Sequence, residues 1–322
     1  MTRYIVKRIL IAIPVLIGIT ILDYGLMSLA PGTPLSMMMG PRVSQAAVDL
    51  RAEQLVLNQP VYLQYFSWLR ELLHGNFGYS ITTHQPVAEM IASHLQPTVL
   101  LMGTSLLLGL LLAVPIGVYS ATHQYSAGDY TAVSLSFLGT SIPNFFLAMI
   151  LVFLFTVKLN VLPSSGMTTL GVSGGGADVL RHMILPVIVL TTFMTGWNVR
   201  YIRSSMLEIL EQDYLRTARA KGVREFWVIH RHAMRNALIP IVTVIGLQIP
   251  MVFSGAVVVE QVFSWPGLGL LTMTAIMTRD YPTIMAVSLL SAVIVLTFMI
   301  VPMVISLSID ALRAVPFVYR ET

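Results

Sequence analysis

Long stretches without Asp, Glu, Lys or Arg recur along this chain of 322 residues, separated by polar segments of unequal length. Crossing the hydrocarbon core of a bilayer takes about 20 mostly apolar residues in a helix. Residues 9–30, interrupted only by Asp23, are the first such stretch. No formal charge falls between Glu89 and Asp129, and 98–121 is the apolar part of that interval. Residues 131–157, 183–199, 236–259 and 281–309 follow, 183–199 being the shortest. The pattern predicts an all-α integral membrane protein with about six transmembrane helices. Each span holds a proline (Pro14, Pro115, Pro143, Pro186, Pro250, Pro302), and each permits a kink.

The intervening segments differ in character. Residues 31–97 form a large loop in which Ser44 caps a predicted helix running to about Leu57, "NQP" breaks it, and a second helix covers 61–73. "HGNFGYS" (74–80) reads as a turn-rich strap, and "GVSGGG" (171–176) as a flexible stretch within 158–181. In residues 200–235, Leu207, Leu210, Tyr214 and Ala218 recur at helical spacing. Val223, Phe226, Trp227 and His230 do so again after Gly222. This predicts two short amphipathic helices meeting near a glycine, with an apolar face and a basic rim. Such a surface suits either anionic lipid or a docking partner. The predicted organisation is a first span with its large loop (1–97), a five-helix core (98–309) that includes 200–235, and a tail (310–322).

Composition agrees with the membrane reading. Hydrophobic residues make up 56% of the chain and charged ones 11%, against roughly 25% charged in a soluble domain. A net charge of +4 gives no reason to expect a nucleic-acid partner, and the absence of cysteine excludes disulfides, thiolate metal sites and cysteine nucleophiles. With six spans both termini share a side. That side, with 200–235, holds thirteen of the nineteen Lys and Arg residues. The positive-inside rule therefore predicts cytoplasmic termini and a cytoplasmic 200–235 loop. Arg3, Lys7 and Arg8 ahead of an apolar run resemble a signal peptide, but the run is too long and lacks a small-x-small cleavage site, so a retained span is expected.

Chemistry within the chain is sparse. A nucleotide-binding P-loop needs Lys followed by Ser or Thr, and the only lysines, Lys7, Lys158 and Lys221, precede Arg, Leu and Gly. "GVSGG" fits a serine-nucleophile pattern and raises an intramembrane hydrolase using Ser173 as a remote alternative. The strand and helix that such an elbow needs do not flank it, and the nearest membrane-edge histidine is His182. His74, His84 and His94 have no metal-ligand spacing, and His230 and His232 point to different faces of a helix. No metal site or catalytic group is expected. Asp23 stands out, because a mid-helix carboxylate costs about 2.5–3.5 kcal/mol on insertion scales and should face protein or water. Asp23, Asn144 and Asn198 are candidates for a translocation path, with a structural hydrogen bond to a neighbouring span as the alternative for Asp23.

"YLRTARAKGVREFWVIHRHAMRNALIP" (214–240) resembles the cytoplasmic loop of bacterial ABC-importer permeases, most closely those of oligopeptide and dipeptide importers. "LAPGTP" (29–34), "QYFSWLRELLHGNFGYS" (64–80), "SIPNFFLAMIL" (141–151) and "VFSWPGLG" (262–269) resemble the same branch, in the same order. Departures exist: Arg216 stands where the general loop motif has Glu, Thr217 replaces an alanine, and Thr33 replaces the usual Asp. The resemblance implies a type I importer permease fold and no enzyme activity in this chain. It also implies pairing with a second homologous permease, two ATP-binding subunits that hold ATP and Mg, and an extracytoplasmic solute-binding protein delivering peptides. A nickel-complex or other small-solute importer is the alternative. Thr217, Ala218, Arg219, Lys221, Gly222, Val223, Arg224, Glu225 and Phe226 would then form the coupling helix seated on an ATPase subunit.

Overall fold

The computed structural model describes residues 2–29, 59–171 and 175–314. The expected Ser44-capped helix, most of "LAPGTP", Ser173 and the end of the tail lie outside the described residues. Among the described residues every regular element is helical, apart from one isolated bridge between Tyr79 and Pro86. The order is α1 (Thr2–Leu29), α2 (Val61–Leu73), α3 (Val87–Thr122), α4 (Ala127–Ser141) and α5 (Asn144–Leu151), the last continued by a π-helical stretch, Val152–Lys158. Then come α6 (Gly175–Leu210), α7 (Asp213–Ala220), α8 (Met234–Val262), α9 (Leu268–Thr278) and α10 (Tyr281–Ala314). Between α7 and α8 a helical turn, Glu225–Trp227, runs through a second π-helical stretch, Val228–Ala233.

Among the described residues, four helices are long and apolar enough to cross a membrane: α1, α3, α6 and α10. The pair α4 and α5 makes a fifth if counted as one span. Helix α8 has 29 residues, about 43 Å at 1.5 Å per residue, which exceeds the ~30 Å hydrocarbon core.

The third predicted span is corrected by the structure. Residues 131–157 do not form one helix: α4 and the helical segment 144–158 meet at 96°. The cause is local. A residue before proline is pushed out of the α region, and proline offers no N–H. Ile142 (φ −76°, ψ 122°) and Pro143 (φ −59°, ψ 134°) are both extended. The fourth span is also longer than the apolar pattern marks, because α6 carries its helix over 36 residues, well past 183–199 at both ends.

The chain forms two compact units, residues 1–98 with 266–296 and residues 99–265 with 297–322. In the first unit α2 lies on α1. The Thr20 and Tyr65 hydroxyls pair at 3.0 Å, and Tyr24 donates to Gln64 at 3.0 Å. The strap after α2 is fixed by the buried Asp280. Its carboxylate accepts from the Ser80 hydroxyl, the Ile81 N–H at 3.1 Å and the Thr283 hydroxyl at 2.9 Å. The Thr98 hydroxyl accepts the Leu268 N–H at 2.7 Å and so satisfies one orphan donor at the start of α9.

The second unit is built on close helix approach. A Cβ added at Gly117 would lie 2.8 Å from Ile202, and one at Gly196 would lie 2.6 Å from the Ser136 carbonyl. Small residues allow helix backbones to meet where lipid offers no hydrophobic drive between them. One apolar core of this unit joins Ala113, Val118 and Ala121 of α3 to Val199, Ile202 and Met206 of α6. It also takes in Leu215 of α7, Val228 and Ala233 of the π-helical stretch, and Ala237 and Ile241 of α8.

Candidate functional site

The basic segment 200–235 falls entirely within the second unit. Helix α6 ends at Leu210, Gln212 is extended, and α7 begins at Asp213. Leu207 and Leu210 therefore belong to α6, while Tyr214 and Ala218 lie on α7. The single stripe read from the sequence is thus shared between two helices. The residue that anchors α7 is Leu215, fully buried in the core described above.

The end of α7 is a Schellman turn. Gly222 N–H bonds to the Arg219 carbonyl at 2.9 Å, and Val223 N–H to the Ala218 carbonyl at 3.2 Å. Such a turn places its C′ residue in the left-handed region, which glycine enters without steric cost. Gly222 has φ +77°. Ala218 and Val223, the positions that accompany this turn with an apolar contact, both pack against the same core. Arg219 donates to Glu225 at 2.8 Å across the turn. That hydrogen bond holds the Glu225 carboxyl below the usual carboxylate range, despite some opposing desolvation. The link is therefore present at neutral pH and is lost only as pH falls through the lowered value.

Beyond the turn Phe226 and Trp227 face outward, while Val228 and Ala233 turn into the core. Phe226 is 59% exposed and Trp227 50%. Phe226 stacks on His230 at 4.2 Å and meets Trp227 edge-on at 5.5 Å. Lys221, Arg224 and Arg231 are exposed around them, as is Thr217, whose hydroxyl bonds back to the Asp213 carbonyl. The site is thus an aromatic knob with a cationic rim, mounted on a rigid turn whose other face is buried. The sequence-predicted coupling residues come together here. A Cβ at Gly222 would meet nothing within 4 Å, so within this chain its glycine is required by backbone conformation.

The three path candidates have different surroundings. Asp23 is half-buried on α1, and Asn144 is half-buried at the first residue of α5. Asn198 is 1% exposed, and its amide donates to the Met194 carbonyl of its own helix at 2.9 Å. An apolar cavity of about 410 Å³ opens where α4 breaks from α5. Ser136, Thr191, Thr192 and Thr195 are among its lining residues, which include neither Asn144 nor Asn198. Sequence reasoning missed an ion pair between the buried Asp129 and the half-buried Arg203, 2.7 Å apart. The Ser126-x-x-Asp129 helix start, in which the Ser126 side chain accepts the Asp129 N–H, marks a cap and says nothing of Arg203.

In fold, the chain is an ABC-importer permease. It matches a solved amino-acid ABC transporter chain (TM-score 0.54, 14% identity, 69% of this chain and 94% of the other). It also matches a chain of the inward-facing MetNI methionine ABC transporter (TM-score 0.57, 16% identity, 70% and 98%). Residues 113–315 match the family described as binding-protein-dependent transport system inner membrane component, and residues 1–102 match the N-terminal model of the same family. Among relatives, the oligopeptide transport system permease protein AppB of Bacillus subtilis is 46% identical over 92% of this chain and 94% of its own length. The glutathione transport system permease protein GsiC of Salmonella choleraesuis is 38% identical over 98% and 97%. The chain belongs to the binding-protein-dependent transport system inner membrane component family. It is a multi-pass inner-membrane permease that works in a complex with an ATPase and a binding protein, and its family is one of transporters rather than enzymes.

Proposed function

We propose that this permease carries peptides, and that it pairs with a second homologous permease, two ATP-binding subunits and an extracytoplasmic solute-binding protein. The likeness to AppB over nine-tenths of both chains is the observation that carries the cargo assignment. ATP and Mg belong to the ATP-binding subunits in this reading. Both termini and 200–235 face the cytoplasm, in keeping with the thirteen basic residues on that side.

The aromatic knob of Phe226 and Trp227 is the element that seats on an ATP-binding subunit. Its exposure beside a buried support is what an anchor needs: an apolar side chain free to fill a partner pocket and a backbone that does not yield. ATP-driven closure of those subunits then biases the paired permeases between two states.

The cargo is tested by ATP-driven uptake in vesicles holding the full complex and its binding protein. Labelled dipeptides, pentapeptides and glutathione are compared with a nickel chelate. Accumulation of at least one peptide is expected, and accumulation of the chelate alone would assign the alternative cargo. Orientation is tested with single cysteines at Ser67 and Ser204, both exposed. On intact cells an impermeant thiol reagent is expected to label position 67 and spare 204; the reverse pattern would invert the topology.

A further inference from the structure

We propose that Asp129 and Arg203 are positioning residues that carry movement of the basic loop into the bent α4–α5 pair. Asp129 lies in the first turn of α4 and is 2% exposed. Its Oδ1 accepts from Arg203 Nε at 2.7 Å and from the Ser120 hydroxyl. Its Oδ2 accepts from Arg203 Nη2 at 2.8 Å and from the Tyr125 N–H at 3.0 Å. One carboxylate thus ties together the end of α3, the α3–α4 turn and α6. Fork-to-fork geometry of this kind fixes orientation as well as distance.

The pair stands at a junction. The core that supports the basic loop draws on α3, α6, α7 and α8, and no α4 residue belongs to it. Helix α4 instead packs along α6: Gly139 lies against Thr192, Ser136 against Gly196 and Thr140 beside Arg200 in its later turns, and the Asp129–Arg203 clasp holds its first turn. The clasp lies seven residues from the Ser136–Gly196 contact on each helix, about 10 Å at 1.5 Å per residue. With the clasp intact α4 follows α6, and α5 follows across the 96° bend. With it broken, the first turn of α4 can part from α6 while the later turns and the loop core stay packed.

This proposal rests on the docking reading of 200–235, so the test uses the complete complex with binding protein in vesicles and Phe226→Ala in parallel. Asp129→Asn and Arg203→Lys each remove the bidentate pair but keep a polar group for the remaining partners. ATPase subunits are expected to copurify near wild-type yield, with substrate-stimulated hydrolysis largely retained, while peptide taken up per ATP falls by about tenfold or more. Asp129→Glu, which retains the carboxylate, is expected to recover part of the loss. Wild-type uptake per ATP in both variants would overturn the proposal. So would a loss of uptake that only tracks loss of assembled complex, since the pair would then serve folding alone. If Phe226→Ala copurifies and hydrolyses as wild type does, the docking reading fails, whatever the clasp variants show.

Discussion

Phe226→Ala is expected to leave membrane insertion unchanged while weakening ATPase association by about thirtyfold and abolishing import. Fully burying a Phe side chain is worth about 1.5–3 kcal/mol, and an anchor at the centre of an interface about 2 kcal/mol or more. At 1.4 kcal/mol per tenfold, 2 kcal/mol is roughly thirtyfold in affinity. The variant should fold, because Phe226 is 59% exposed and contributes little to the core of its own chain. Gly222→Val attacks the same surface from behind. Nothing would touch the new side chain, but φ +77° is closed to a β-branched residue, so the turn must open and the knob lose its mount. Copurification of the ATPase subunits and substrate-stimulated hydrolysis measure both variants. Wild-type values in both would leave the aromatic knob as a lipid-facing surface.

Gly196→Leu is expected to have the largest effect on stability. A Cβ there would sit 2.6 Å from the Ser136 carbonyl and 3.1 Å from Thr140. The first of these is a backbone atom that cannot rotate away, so α4 and α6 must separate. Overpacking costs about 1–3 kcal/mol or more where neighbours cannot shift, and the gain in helix propensity over glycine, at most about 1 kcal/mol, does not offset it. A lowered thermal unfolding midpoint in detergent and a reduced yield of assembled complex are the expected readings. Gly103→Ala is the control, since nothing lies within 4 Å of its added Cβ. It should be neutral or slightly stabilising. Equal behaviour of the two variants would refute the close α4–α6 approach.

Hydropathy alone revealed most of the spans, because lipid imposes a length and a polarity that few other constraints override. Gly222 was legible for a similar reason, since a glycine just past an amphipathic run marks a left-handed cap. The break at Ile142–Pro143 was not. Pro14 and Pro186 sit inside continuous helices of the same chain, so a proline in a span does not by itself announce a bend. The apolar stripe of 200–235 was assigned to the wrong helix at Leu207 and Leu210, because periodicity continued across the Gln212 break in α-helical phase. Asp129 and Arg203 lie 74 residues apart, and neither residue's local pattern names the other. Arg203 read only as one more charge on a basic loop. Exposure was equally hidden: Leu215 and Phe226 are both apolar residues on short helices, yet one is buried and the other stands out.

The central claim, that 200–235 seats this permease on its ATPase through Phe226, is tested most directly by photocrosslinking. A photoreactive phenylalanine analogue at position 226 is introduced into the intact complex in native membranes. The account predicts an adduct with an ATP-binding subunit, formed in good yield and diminished when Gly222 is also replaced by Val. Adducts with lipid alone, from a complex that still copurifies and hydrolyses ATP normally, would contradict it.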